Sequence, residues 1–325
     1  MLPTGGELMG TGRKIAAIAL LIGVFAGFDL SVYNLFTKRC IDTSGEEMQK
    51  YSVELHRYMP FDSSSEAVRV DTDMKLEGDL PVLDGAAALY PVFSGIVNSV
   101  YPGDSVRFEN GSFTADSALH FTNTQGAYKA VADGDADIIF CAKPNDAQLG
   151  YAEEKGAALE MVPIGREAFV FIVNKENPVD GLTTEQVRDI FSGDITVWSE
   201  VGGEALPIEA LSRNEGSGSQ STMEKFMAGR KQKSSPWGAF GRSIGYSFRY
   251  YVDNMVGNGG AKKLALDGVY PDKEHIADGT YPLASTFYAV YRKDNENPNI
   301  PVLMDWILSD EGQAVVEKAG YVPLA

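Results

Sequence analysis

From Leu80 onward, short apolar runs alternate with longer stretches of helical spacing, the rhythm of an α/β protein. Pro81-Val82-Leu83 predicts a first strand, Asp84-Gly85-Ala86 a turn, and Ala87 to Val100 an amphipathic helix. Ala118 to Phe121 predicts a second strand, followed by Thr122-Asn123-Thr124 and a helix from Gln125 to Ala132. Asp137 to Cys141 predicts a third strand, ending in Ala142-Lys143-Pro144. Such junctions are where an open α/β sheet places its ligand crevice.

Two further apolar runs, Leu159 to Ile164 and Ala168 to Asn174, are punctuated by Pro163 and Gly165, which suits a crossing between lobes. Thr183 to Phe191 predicts a helix capped by Thr183 and Gln186 and ended by Gly193. Lys262 to Leu266 predicts a short helix, Tyr281 to Tyr291 a return strand, and Met304 to Ala319 a terminal helix.

The organising stretch is Ser212-Arg213-Asn214-Glu215-Gly216-Ser217-Gly218-Ser219-Gln220. It follows a predicted strand, Leu206 to Leu211, and precedes a helix opening at Thr222 to Met227. A helix start has unpaired N–H groups and a positive dipole end, so it favours an anion. Ser217 and Ser219 add hydroxyls, Gly216 and Gly218 admit close backbone approach, and Arg213 offers a planar fork for an oxyanion. Taken alone, the same residues also describe a glycine-rich turn with a capped helix.

Ahead of this region, Ile15 to Phe36 is mostly apolar, flanked by Arg13-Lys14 and Lys38-Arg39, with Asp29 inside it. The length fits one membrane span; a secretory signal with its apolar core at Ile15 to Phe28 and a buried helix are the alternatives. Residues 41–79 are polar and predict a linker or extension, helical in part from Glu46 to Tyr58.

The 325 residues carry a formal net charge of −17. Without residues 1–40 there remain 24 basic and 43 acidic residues, a charge of −19. Nucleic acid and anionic membrane surfaces are poor partners for such a chain. Local donors in a dry pocket can still hold an anion. The two cysteines, Cys40 and Cys141, are not expected to pair, and the three histidines lie far apart, so no metal or cofactor is expected. The sequence around Ser217 is not G-x-S-x-G and no phosphate-binding P-loop is present, so no catalytic residue is expected.

From about residue 80 the chain resembles the PstS-like phosphate-binding proteins of ABC transporters, within the two-lobed periplasmic-type solute-binding proteins. The resemblance rests on R-N-E-G-S-G-S at 213–219, LTTEQVRDIFSGDITVWSEVGG at 182–203, and G-T-Y-P-L from Gly279 with Tyr288 to Arg292. It implies a type II periplasmic-binding-protein fold. Residues 80–166 with 281–325 would form lobe 1, and 167–280 lobe 2, joined by two crossing strands. It implies an anion in the cleft held by Arg213, by Ser217, Gly218 and Ser219, by Asn123 and Thr124, and by the backbone at Ala87 and Ala88. Glu215 would pair with Arg213. The partners implied are phosphate, or a related tetrahedral oxyanion, and an ABC transporter permease.

Two departures stand out. Ala87 and Ala88 fall where the family offers a hydroxyl and an aromatic, and Ala142 falls where it has an aspartate. Hydrogen phosphate carries a proton and needs an acceptor; sulfate does not. Asp84 is the nearest substitute by sequence, although a turn or helix-cap aspartate is the simpler account of it. These alanines keep open a second reading, a membrane-anchored sensor or scaffold whose divergent cleft binds another anion or none.

Overall fold

The computed structural model describes residues 55–213, 215, 217–233, 242–255 and 260–324. The apolar segment at 15–36, Cys40 and the predicted helix before Leu55 lie outside them. Among the described residues, no helix is long and apolar enough to cross a membrane.

In chain order the main strands are β1 (Leu83–Gly85), β2 (Ile138–Cys141), β3 (Leu159–Asn174), β4 (Ile208–Ala210), β5 (Arg242–Phe248), β6 (Ala261–Lys263) and β7 (Ala284–Arg292). The main helices are α1 (Tyr90–Val100), α2 (Asn123–Asp133), α3 (Asp146–Glu154), α4 (Thr184–Ser192), α5 (Gly218–Phe226), α6 (Asn299–Leu308) and α7 (Asp310–Lys318). One seven-stranded sheet runs β1-β2-β7-β3-β5-β4, with β6 also paired to β3.

Strand β3 decides the architecture. Its first half pairs antiparallel with β7, from Leu159 opposite Arg292 to Ala168 opposite Ala284. Its second half pairs with β5, from Phe169 opposite Phe248 to Val173 opposite Ile244. One strand thus serves two cores. The first core gathers Leu83, Phe93, Ile139, Phe140, Leu303 and Val315; the second gathers Phe169, Phe171, Phe191, Trp198, Met223 and Tyr246. Both are two-layer packings of helices on sheet.

Several expectations are met residue by residue. Thr183 caps α4 in a full capping box with Gln186, and Gly193 closes it in the left-handed conformation at φ 77°. Other elements differ from the sequence reading. Asp84 and Gly85 continue β1 rather than turning, because Asp84 and Gly85 pair with Ile139 and Phe140. Ala118–Phe121 makes only a bridge from Leu119 to Leu83. The two runs around Pro163 and Gly165 form one strand, with a register shift between Phe287 and Tyr288 absorbing the irregularity. Lys262–Leu266 is not helical: residues 261–263 pair with β3 and Ala265–Leu266 with Gly181–Leu182. Tertiary pairing overrides local helix propensity there. The terminal helix is two helices, broken where Ser309 leaves one and caps the next through Gly312 N–H.

Residues 55–79 are not a free linker. Tyr58, Val70 and Leu76 are buried in the first core, and Arg57 Nη1 donates to Asn254 O at 2.7 Å.

Candidate functional site

Three helix beginnings converge between the two cores. The chain leaves β1 at Gly85 and enters a tight helical turn at Ala87–Leu89 that leads into α1. Gly85 is required by close approach: a Cβ there would stand 2.6 Å from Phe140 O. The first turn leaves the Ala87 and Ala88 amides without intrahelical acceptors. Helix α2 starts at Asn123, whose φ of 62° is one that asparagine tolerates better than most residues. Helix α5 starts at Gly218, capped by Ser217, whose Oγ accepts from Gln220 N–H at 3.2 Å.

These elements line a narrow cavity between the lobes. The first lobe contributes Ala86, Ala88, Leu89, Thr124 and Ala142; the second contributes Gly218 and Phe248. The crossing strands add Glu167, Ser285, Thr286 and Phe287. The lobes meet closely. A Cβ placed on Gly218 would stand 3.1 Å from Thr124 Oγ1. At the rim, Lys225 Nζ donates to Pro144 O at 3.0 Å, and Asn145 Nδ2 donates to Ser221 Oγ at 3.2 Å.

Of the residues singled out by sequence, Ala88, Thr124, Ala142 and Gly218 thus share one cavity wall. Ser217 and Ser219 flank Gly218, Ser219 being buried. Ala87 lies beside Ala88 and packs partly against the first core. Asn123 is exposed next to Thr124, and Glu215 is exposed. Arg213 is not part of the wall. Its backbone N–H donates to Tyr246 Oη at 3.1 Å, and its guanidinium lies over the Tyr251 ring, 5.8 Å from the centroid. Among the described residues neither Arg213 nor Glu215 enters an ion pair, so the expected Arg213–Glu215 pairing is not seen.

Asp84 is buried with its oxygens engaged inside the first lobe. Oδ1 accepts from Gly85 N–H at 2.7 Å and Thr122 N–H at 2.9 Å, and Oδ2 accepts from the Thr122 hydroxyl at 2.5 Å. Burial pushes its carboxyl above the ordinary range, against the pull of these donors. Its work is to hold the approach to α2 rather than to line the cavity. Lys143 is exposed, its ammonium 5.7 Å from the Tyr288 ring centroid.

Sequence reasoning missed the crossing-strand residues of the wall. Glu167 had a signal: with Arg166 it interrupts an otherwise apolar strand, Ile164 to Asn174. Phe248, Ser285 and Thr286 had none, since only the sheet order brings them to the cleft. Among the described residues no cluster of three or more His, Cys, Asp or Glu could hold a metal. Cys141 is a free buried thiol whose pKa burial drives up.

A two-lobed α/β molecule with helix starts facing one another across a crossing-strand cleft is built as a solute-binding protein. The chain belongs to the PBP superfamily, whose domain model matches residues 103–311. It is 28% identical over 273 residues to the phosphate-binding protein PstS of Pseudomonas aeruginosa, covering 74% of this chain and 81% of that one. It is 23% identical over 273 residues to SphX of Synechococcus elongatus, covering 75% and 77%. Its fold matches a putative phosphate ABC transporter substrate-binding protein from Clostridium perfringens, solved with bound phosphate. That match has a TM-score of 0.58 at 23% identity and covers 75% of this chain and 98% of that one. An ABC-type phosphate transport receptor from Vibrio cholerae matches with a TM-score of 0.54 at 18% identity, covering 74% and 98%.

Proposed function

We propose that this protein captures phosphate, or a related tetrahedral oxyanion, in the cleft between its lobes and delivers it to an ABC transporter permease. One observation carries the reading: residues at three helix starts, Ala88, Thr124 and Gly218, line a single cavity between the lobes, together with Thr286. Each helix start favours negative charge, and together they act in a pocket largely shielded from water. The names of its relatives support the same ligand. Binding alone is proposed, with no chemistry: closure of the lobes would present a surface to the permease. The protein would act outside the cytoplasm, the 15–36 segment serving as anchor or export signal.

Calorimetry on the purified protein with phosphate, arsenate, sulfate, molybdate and small organic acids tests this. Phosphate binding supports it; no binding by any tetrahedral oxyanion overturns it. A second reading, a sensor or scaffold with a divergent cleft, draws on the Arg213 guanidinium lying over Tyr251 instead of on the cavity wall. Binding of an organic acid and not phosphate would favour that reading.

A further inference from the structure

An inorganic oxyanion presents an oxygen at every corner, yet the cleft cavity of this protein is almost wholly apolar. Ala88, Leu89 and Ala142 reach it from the first lobe, Phe287 from a crossing strand and Phe248 from the second lobe. The Phe248 ring lies at the start of α5: its Cε2 stands 3.7 Å from where a Cβ on Gly218 would be. Among the described residues, no basic side chain lines this cavity. Its one charged member, Glu167, is engaged elsewhere, accepting from Ala168 N–H at 2.8 Å, Arg249 Nε at 3.2 Å and Tyr250 N–H at 3.1 Å. The Ser285 hydroxyl donates to Glu167 O at 3.4 Å.

Such a wall treats the corners of a tetrahedral ligand unequally. An oxygen or hydroxyl moved from water against apolar groups loses its hydrogen bonds and gains none, which is costly. A methyl group in the same place loses no hydrogen bond and gains burial. The two are close in size, so the wall discriminates by polarity rather than by volume. The cleft is also tight, since a Cβ on Gly218 would stand 3.1 Å from Thr124 Oγ1. One short substituent suits that space better than a chain.

We propose that the cleft takes a tetrahedral oxyanion with one carbon corner, a short alkylphosphonate, whose alkyl group rests against Phe248, Leu89 and Ala142. This rests on the oxyanion-capture reading above and names the ligand class of that same cleft. The donors on hand, the helix starts with Thr124 and Thr286, serve three oxygens, and the fourth corner asks for none. Ala88 and Ala142 are then specificity residues, because a hydroxyl at either position would give an inorganic oxyanion the partner that it lacks.

Calorimetric titrations of the full chain with methylphosphonate, inorganic phosphate and methyl phosphate test this, at one alkaline pH where all three are dianions. They are run for the wild type, Ala88→Ser, Ala142→Ser and the double variant. The ratio of affinities is read within each protein, so a partly unfolded sample does not distort it. The wild type should bind methylphosphonate more tightly than phosphate by about tenfold, the scale of one hydroxyl left without a partner. The Ser variants should move that ratio toward phosphate, the double variant furthest. Equal or tighter binding of phosphate by the wild type would overturn the inference and leave oxyanion capture intact. Tighter binding of methyl phosphate than of methylphosphonate would overturn it in favour of a phosphate ester. A ratio unmoved in every Ser variant would place the substituent away from this wall and overturn it too. A wild type that binds none of the three would overturn the capture reading, and this inference with it.

Discussion

Gly218 faces Thr124 across the cleft so closely that a methyl group on it would begin 3.1 Å from the Thr124 hydroxyl oxygen and 3.7 Å from Phe248 Cε2. The two residues lie in the first turns of helices in different lobes, so any opening of the cleft would break their contact. Gly218→Ala forces the neighbour to yield a few tenths of an ångström in that arrangement only. Overpacking of this kind costs about 1–3 kcal/mol. Anion affinity measured by calorimetry should fall by that amount while the melting temperature of the ligand-free protein stays close to wild type. An unchanged affinity would mean that the lobes do not approach this closely when the ligand is bound.

The rim contacts give a second check on closure. Ser221→Ala with Lys225→Met removes the partner of Asn145 Nδ2 and the donor to Pro144 O, yet leaves the Asn145 cap of α3 in place. Lys225 is exposed, so its bond is screened and contributes little; a neutral bond contributes about 0.5–1.5 kcal/mol. The pair should weaken phosphate binding by up to about tenfold, mainly through faster release in stopped-flow measurements. Unaltered release rates would separate these bonds from closure.

Arg213 is the sharpest test of the capture reading. Its guanidinium rests over Tyr251, and in the chain Arg213 precedes the α5 start by five residues. Arg213→Ala should cost about 1.5–3 kcal/mol of phosphate affinity, the range for a hydrogen bond to a charged group. Full retention of affinity by calorimetry would remove Arg213 from the site.

Asp84 predicts a pH effect on stability. Its folded-state pKa is raised by burial, so the folded protein holds this proton more tightly than the unfolded chain does. The stabilisation is fully present below the ordinary aspartate pKa and is lost as pH rises through the raised folded value. Asp84→Asn removes the titration. Urea unfolding at a series of pH values from acidic to neutral should therefore show a smaller decline on raising pH in Asp84→Asn than in wild type. Identical slopes in the two proteins would rule out Asp84 as a source of the dependence.

Local chemistry alone announced the short-range features. The Thr183–Gln186 capping box and the Gly193 stop depend on a handful of neighbouring residues, and both appear as read; the helix expected to open at Thr222 starts four residues earlier, at Gly218, because the Ser217 side chain caps it there. The apolar runs likewise marked most strands of the sheet. Helix against strand at Lys262–Leu266, and one helix against two at the C-terminus, were decided by pairing with β3 and by the Ser309 cap. Neither the lobe contact of Thr124 with Gly218 nor the place of Glu167 on the cavity wall is encoded in any local pattern. They arise because β3 and β7 run side by side through both cores, bringing residues more than a hundred positions apart into one wall. A chain reading sees spacing along the backbone; whether a carboxylate is buried, which donors surround it and what it faces depend on sheet order, which only packing of the two cores sets.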